Sequence, residues 1–241
     1  MFDRIAAVYD PMNTAMTAGL HHRWRARAAD LARVAPGDRV LDVATGTGDL
    51  AIELAGRVAP GGEVLGVDFS EAMLDRAREK AAGRAAPGVR FEWADAMALP
   101  FEDGCFDAAT VAFGARNFED LGRGLAELAR VVRAGGRVVV LEITTPTRPP
   151  LAQFYRLWFD RLVPALGAAA ARTEALVARG GREAGGVAAA YSYLPSSVRR
   201  FPGPPALAAE LVAAGLSRVE YLLLAGGIVA IHAGSAPAGR T

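Results

Sequence analysis

Two glycines and three carboxylates stand where strands should give way to turns. Gly46 and Gly48 lie in Val40-Leu41-Asp42-Val43-Ala44-Thr45-Gly46-Thr47-Gly48-Asp49-Leu50. This short β-branched run passes into a tight turn and then a helix. Glycines in such a turn remove side chains where a ligand must approach the backbone. Asp68 closes the next apolar run, Glu63 to Val67, about twenty residues past the turn. An acid there can accept both ribose hydroxyls of a nucleoside. Asp95 follows a third run, Val89 to Trp93. From that tip a carboxylate can accept the exocyclic amine of an adenine. A fourth tip carries Ala112-Phe113-Gly114-Ala115-Arg116-Asn117-Phe118, where Arg116 and Asn117 are candidates for the side facing a second substrate. Plainer readings exist: a turn that only packs a helix on a strand, a loop aspartate, an Asn117 that caps the next helix. Three ligand-suited tips in succession carry more weight than any one.

Two features count against a dinucleotide such as NAD or FAD. That fingerprint needs a third glycine opening the helix, and Gly48 is followed by Asp-Leu-Ala-Ile. A pyrophosphate at the helix N-terminus would also meet Asp49, a like charge. A phosphate-free nucleoside joined to an amino acid fits better, and S-adenosylmethionine is such a molecule.

The positioning elements read β-α-β-α-β-β-α-β up to Glu142, with a third-to-fourth crossover that is mostly loop. Right-handed crossovers make this a doubly wound parallel sheet, with ligands at the carboxyl ends of the strands. Ahead of it, Phe2, Ile5, Ala6 and Tyr9 fall at helical spacing and Asp10-Pro11 ends that element. Residues 1–36 form a helical cap or a lid, with Tyr9 and Asp10 facing inward. Residues 40–142 form the cofactor-binding core. Leu151 to Val163 is amphipathic, suiting core packing, a greasy substrate wall or a membrane face. Residues 168–190, rich in Ala, Arg and Gly, read as a helix with a mobile loop, and 151–200 as a helical insertion on the substrate side. Helix 205–214 and strands Arg218 to Leu224 and Ile228 to His232 close the chain at 205–233 with an antiparallel hairpin. His232 reads as structural or at the site rim rather than as a base.

Bulk properties set limits. The 241 residues suit one large domain, and 52% hydrophobic with 22% charged residues is a globular composition. A net charge of +1 draws no nucleic acid. Cys105 is the single cysteine and suits a reducing cytoplasm. No recognisable spacing around His21, His22 or His232 suggests a metal, and none is expected. No apolar run reaches the ~18 residues of a spanning helix.

The whole chain resembles the demethylmenaquinone/ubiquinone-precursor C-methyltransferases. The matching motifs are Met-Phe-Asp-x-Ile-Ala-x-x-Tyr-Asp at 1–10, the glycine-turn run at 40–50, Asp-Phe-Ser-x-x-Met-Leu at 68–74 and Asp-Ala-Met-x-Leu-Pro-Phe at 95–101. Phe-Gly-x-Arg-Asn at 113–117, Tyr-x-Tyr-Leu-Pro-x-Ser at 191–197, Phe-Pro at 201–202 and Gly-Ile-Val-Ala-Ile-His at 227–232 complete the set. The opening motif is shared by many methyltransferases, whereas Arg-Asn and the C-terminal motifs are narrower. The resemblance implies a Rossmann-like class I methyltransferase: α/β, with a seven-stranded, mostly parallel sheet and an antiparallel C-terminal edge hairpin. It implies S-adenosyl-L-methionine as cofactor, bound through Asp42, Gly46, Thr47, Gly48, Asp68, Phe69, Asp95 and Ala96. Ala112 joins them, although some relatives have Ser there. Residues 168–190 are longer than in relatives.

The implied reaction is methylation of a ring carbon on a polyprenylated hydroquinone, most simply demethylmenaquinol. The Ala/Arg/Gly-heavy composition favours that branch over ubiquinone. Arg116 would stabilise the phenolate and Asn117 orient it, with Tyr9 and Asp10 as lid residues near the methyl. The expected location is cytoplasmic. Peripheral contact with the inner face of the membrane, through Trp158 and its neighbours, and a homodimer stay open. So do a methyltransferase acting on another lipid and a non-catalytic cofactor-binding assembly protein.

Overall fold

The computed structural model describes residues 9–84, 86, 88–147, 149–157 and 195–237. Among them, seven strands form one sheet: β1 (Arg39–Val43), β2 (Glu63–Asp68), β3 (Val89–Trp93), β4 (Phe106–Ala112), β5 (Val132–Ile143), β6 (Ser217–Leu224) and β7 (Val229–Ser235). Their order is β3-β2-β1-β4-β5-β7-β6. The first five run parallel, and β7 is antiparallel to both of its neighbours. The expected hairpin is present, with β7 inserted beside β5 so that β6 becomes the edge.

The helices are α1 (Tyr9–Thr17), α2 (Leu20–Ala32), α3 (Asp49–Val58), α4 (Glu71–Gly83), α5 (Leu121–Val131), α6 (Leu151–Leu157) and α7 (Pro204–Ala213), and residues 195–200 are helical as well. Strand residues alternate between two helical layers, as period-two side chains must. Leu41, Val43, Leu65, Val67, Ala109 and Val111 pack with Leu125 and Leu128 of α5 and Leu207 and Leu211 of α7. Val40, Val64, Ala108, Val139 and Leu141 pack with α2, α3 and α4 through Ala28, Ala32, Leu50, Leu54 and Leu74. Burial on both faces explains the near-continuous apolar runs in the parallel strands.

Local chemistry sets several boundaries. Ser70 caps α4 by accepting from the Met73 amide, and Asp120 caps α5 by accepting from that of Arg123. The N-cap of α5 is thus Asp120 rather than Asn117. Helix α1 runs through Asp10-Pro11 rather than ending there, because proline is tolerated in a first turn, where its missing N–H has no partner to lose. The helix expected over residues 2–9 lies almost wholly outside the described residues. So do Trp158 and the segment 168–190. Strand β5 begins at Val132, directly after α5, with Gly135 in the left-handed region at φ 75°.

Two glycines owe their place to close approach. Gly66 sits beside Asp42 in the β1–β2 register. A Cβ there would stand 2.7 Å from the Phe91 ring and 2.9 Å from the Thr45 hydroxyl. Gly48, at φ 81°, has the same ring 2.8 Å from where a Cβ would be. Phe91 thus packs under the turn only because both side chains are missing.

Candidate active site

β1 and β4 are neighbours, yet the chain leaves β1 through α3 toward β2 on the other side. This is the topological switch point, where a crevice opens at the carboxyl ends. A cavity of about 260 Å³ lies there. The turn Ala44–Thr47 forms its floor. Asp68 and Phe69 follow from β2, Ala94–Met97 from β3, and Ala112–Gly114 with Asn117–Glu119 from β4. Asp42, Leu50, Met73 and Arg25 complete the wall. The four strand tips singled out from sequence converge on one space.

Asp42 is 1% exposed and accepts hydrogen bonds from the Thr45 hydroxyl at 2.7 Å and the Thr110 hydroxyl at 2.6 Å. Burial pushes its carboxyl up to about 6, against the pull of those two hydroxyls. Asp68 has one oxygen on the Gly46 amide at 2.8 Å and the other on the Ser70 amide at 2.9 Å. These two amides aim the carboxylate before any ligand arrives. Asp95 accepts from the Met97 amide at 2.9 Å, which turns the loop so that Ala96 and Met97 face the cavity. Phe69 is 73% exposed at the rim, its carbonyl accepting from the Trp93 indole at 2.9 Å.

Other candidates sit differently. Gly48 stays behind the cavity as the N-cap of α3, and Gly46, Ala96 and Ala112 line it. Arg116 does not line it. Its guanidinium donates to Glu142 at 2.7 Å and to the Phe113 carbonyl, and its own amide donates to the other Glu142 oxygen at 3.2 Å. The two side chains are 9% and 2% exposed. The sequence reading aimed Arg116 at substrate, but the buried Glu142 at the tip of β5 claims it first. Asn117, next in the 3-10 turn, lines the cavity.

Asp10 also changes role. It accepts from the Thr47 hydroxyl at 2.7 Å and pairs with Lys80 at 2.6 Å, so it ties α1 to the glycine turn. The side chain of Tyr9 lies outside what is described. Lys80 also donates to Thr47 and Asp49, both at 2.8 Å. Burial works to raise the Asp49 carboxyl, but Arg25 and the bond from Lys80 outweigh it and hold the carboxyl below its usual value. Asp49 therefore presents compensated charge, and the like-charge argument against pyrophosphate loses force. The missing third glycine still stands.

His21, His22 and Asp49 bring potential ligand atoms within 4.8 Å of one another. Lys80 and Arg25 already hold Asp49, so a cation would face two positive charges, and no metal site is assigned. His21 is 3% exposed, with Nδ1 2.7 Å from the Thr17 hydroxyl. Burial, helped by the Arg25 charge, lowers its pKa from 6.5 to about 4. Between those values the unfolded chain binds more protons, so this group removes stability as pH falls from 6.5 to about 4. His21→Gln should cancel that loss, about 3 kcal/mol at the acid end. Urea unfolding of both proteins from pH 7 to pH 4 checks it, read as the difference between them. The comparison is needed because Asp42 acts in the opposite sense over part of that window. A difference that does not vary with pH would refute the assignment.

Sequence reasoning missed Arg25, Lys80 and Glu142 as partners in the site. For Arg25 a signal existed: His21, Arg25, Ala28 and Ala32 share one helical face, and all are buried.

S-adenosylmethionine fits the residues present. Asp68 suits the ribose, Asp95 with Phe69 and Met97 suits the adenine, and the acidic wall suits a sulfonium. Among the described residues, Arg25 Nη1 has no hydrogen-bond partner, although it stands 3.5 Å from an Asp49 oxygen. The strand order, the glycine turn and the acidic strand tips define a class I S-adenosylmethionine-dependent methyltransferase. The chain belongs to the ubiE/COQ5 methyltransferase family, whose model matches residues 1–236. The demethylmenaquinone methyltransferase of Thermus thermophilus is 49% identical over 237 residues, which cover 98% of this chain and 100% of that protein. The ubiquinone/menaquinone biosynthesis C-methyltransferase UbiE of Idiomarina loihiensis is 37% identical, covering 97% of this chain and 88% of its own. Among solved structures, a SAM-dependent methyltransferase from Aquifex aeolicus superposes with a TM-score of 0.58 at 19% identity, over 84% of each chain. That likeness is one of fold.

Proposed function

We propose that this enzyme methylates a ring carbon of demethylmenaquinol to give menaquinol. The observation that carries the reading is the 49% identity, end to end, with a demethylmenaquinone methyltransferase. The bound cofactor supplies an electrophilic methyl group on a sulfonium. The protein's work is alignment and the exclusion of water, and holding donor and acceptor in line is worth roughly 7–11 kcal/mol. Asn117 orients the phenolic oxygen of the acceptor from the β4 side of the cavity. Phe113 and Phe118 give the ring an apolar wall. The Arg116–Glu142 pair keeps the 3-10 turn that carries Asn117 in place, and Arg116 acts on the phenolate only through that turn.

The test is complementation of cells that accumulate demethylmenaquinone, followed by mass analysis of their quinones. Restored menaquinone supports the reading. Unchanged demethylmenaquinone, with the protein folded and expressed, refutes it. Restored ubiquinone in a strain lacking that methylation would move the substrate to the other branch.

No helix among the described residues is long and apolar enough to cross a membrane. The prenyl tail must nonetheless leave the bilayer or stay in it during the reaction. Phe69 and Trp93, 73% and 51% exposed with ring centroids 5.6 Å apart, form an aromatic rim that suits peripheral docking. Vesicle flotation that recovers no protein, with or without quinol, would count against it.

A further inference from the structure

Arg25 is the one basic side chain among the described residues that line the cavity, while Asp42, Asp68, Asp95 and Glu119 contribute carboxylates. Its side chain is 9% exposed. Its nearest anion, Asp49, stands at 3.5 Å, whereas Lys80 holds that carboxylate at 2.8 Å. Among the described residues, Nη1 makes no hydrogen bond. The guanidinium lies over the Phe113 ring, 5.4 Å from its centroid, which fixes its direction without using its donors. A buried donor without an acceptor is costly, and native proteins rarely leave one idle.

The cavity has two chemically distinct ends. Asp68 and Asp95 take acceptor positions for a ribose and an adenine on the β2 and β3 side. Arg25 stands with Phe113 beside the glycine turn, away from them in strand order. A nucleoside seated on the aspartates directs its amino-acid end toward the turn. That end carries the ligand's only anion, a carboxylate, whose planar pair of oxygens matches a guanidinium fork.

We propose that Arg25 binds the methionyl carboxylate of the cofactor and so selects an intact amino-acid end over a truncated nucleoside. The assignment rests on S-adenosylmethionine being the cofactor and not on which acceptor takes the methyl group. Asp49 and Lys80 form the frame: Lys80 bonds Asp49 at 2.8 Å, so Arg25, at 3.5 Å from the same carboxylate, contributes charge there without committing a hydrogen bond.

Calorimetric titration of the full chain tests this with three ligands. They are S-adenosylhomocysteine, its decarboxylated amine analogue, and 5′-methylthioadenosine, which lacks the amino-acid end. The wild type should bind S-adenosylhomocysteine roughly 10–100-fold more tightly than the decarboxylated analogue, the worth of one charged hydrogen-bonded contact. Arg25→Gln should lose that preference and keep its affinity for 5′-methylthioadenosine. Arg25→Lys should retain part of it. The proposal is overturned if Arg25→Gln weakens all three ligands equally, which marks a structural role, or weakens none. It is also overturned if the wild type binds the decarboxylated analogue as well as S-adenosylhomocysteine, a comparison that needs no variant to fold. A wild type that binds no nucleoside at all overturns the cofactor assignment itself, and Arg25's role with it.

Discussion

Asp68→Asn is expected to weaken binding of S-adenosylhomocysteine by roughly 10²–10⁴-fold, the loss of two charge-assisted hydrogen bonds at about 1.5–3 kcal/mol each. The carboxylate serves four donors at once in this account. The Gly46 and Ser70 amides donate to one oxygen each, and the two ribose hydroxyls donate to the same carboxylate. An asparagine keeps one oxygen and turns an NH₂ toward either Gly46 or Ser70, so a donor faces a donor. The ribose contact and the aim of the turn fail together. Titration of both proteins checks it, with a melting curve to confirm that the variant is folded. A loss under threefold would mean the ribose is held elsewhere.

Arg116→Ala should unfold about 3–5 kcal/mol more easily than the wild type, because it leaves Glu142 buried without its countercharge. Glu142 is 2% exposed and would keep only the backbone amides of Arg116 and Ile143 as partners. Turnover should fall as well, since the 3-10 turn bearing Asn117 hangs on that carboxylate. The double variant Arg116→Met with Glu142→Leu separates the two effects. Replacing a buried ion pair by apolar residues of similar volume is often neutral for stability. The double variant should therefore recover most of the lost stability, by urea unfolding, and still turn over slowly. If it recovers both, the pair is structural and Asn117 does not depend on it. If Arg116→Ala keeps near-normal turnover, neither residue of the pair serves the reaction.

What could be read from the residues was local. A β-branched run, two glycines and a helix start are contiguous, so the turn at 44–48 and its place in the sheet follow from short-range chemistry. Asp68 and Asp95 were legible for the same reason: a strand tip is a position in the chain, and the sheet brings the tips together by topology. What escaped were pairings between distant side chains. Lys80 reaches Thr47 and Asp10 from another helix, and no spacing announces it. Arg116 looked free because Glu142, 26 residues later, is joined to it only once β4 and β5 pair. Arg25 was hidden among Arg23 and Arg27 until the buried face of α2 was known. Pro11 misled because its effect depends on where in a helix it falls.

The central claim is transfer of a methyl group from S-adenosylmethionine to a quinol ring carbon. The most direct measurement incubates the purified enzyme with methyl-deuterated S-adenosylmethionine and chemically reduced demethylmenaquinone, then fragments the product in a mass spectrometer. The account predicts one deuterated methyl on the naphthoquinone ring, only under reducing conditions, and retained after reoxidation to the quinone. A methyl lost on reoxidation would mark transfer to oxygen. That result, or no transfer by protein that binds S-adenosylhomocysteine normally, would contradict it.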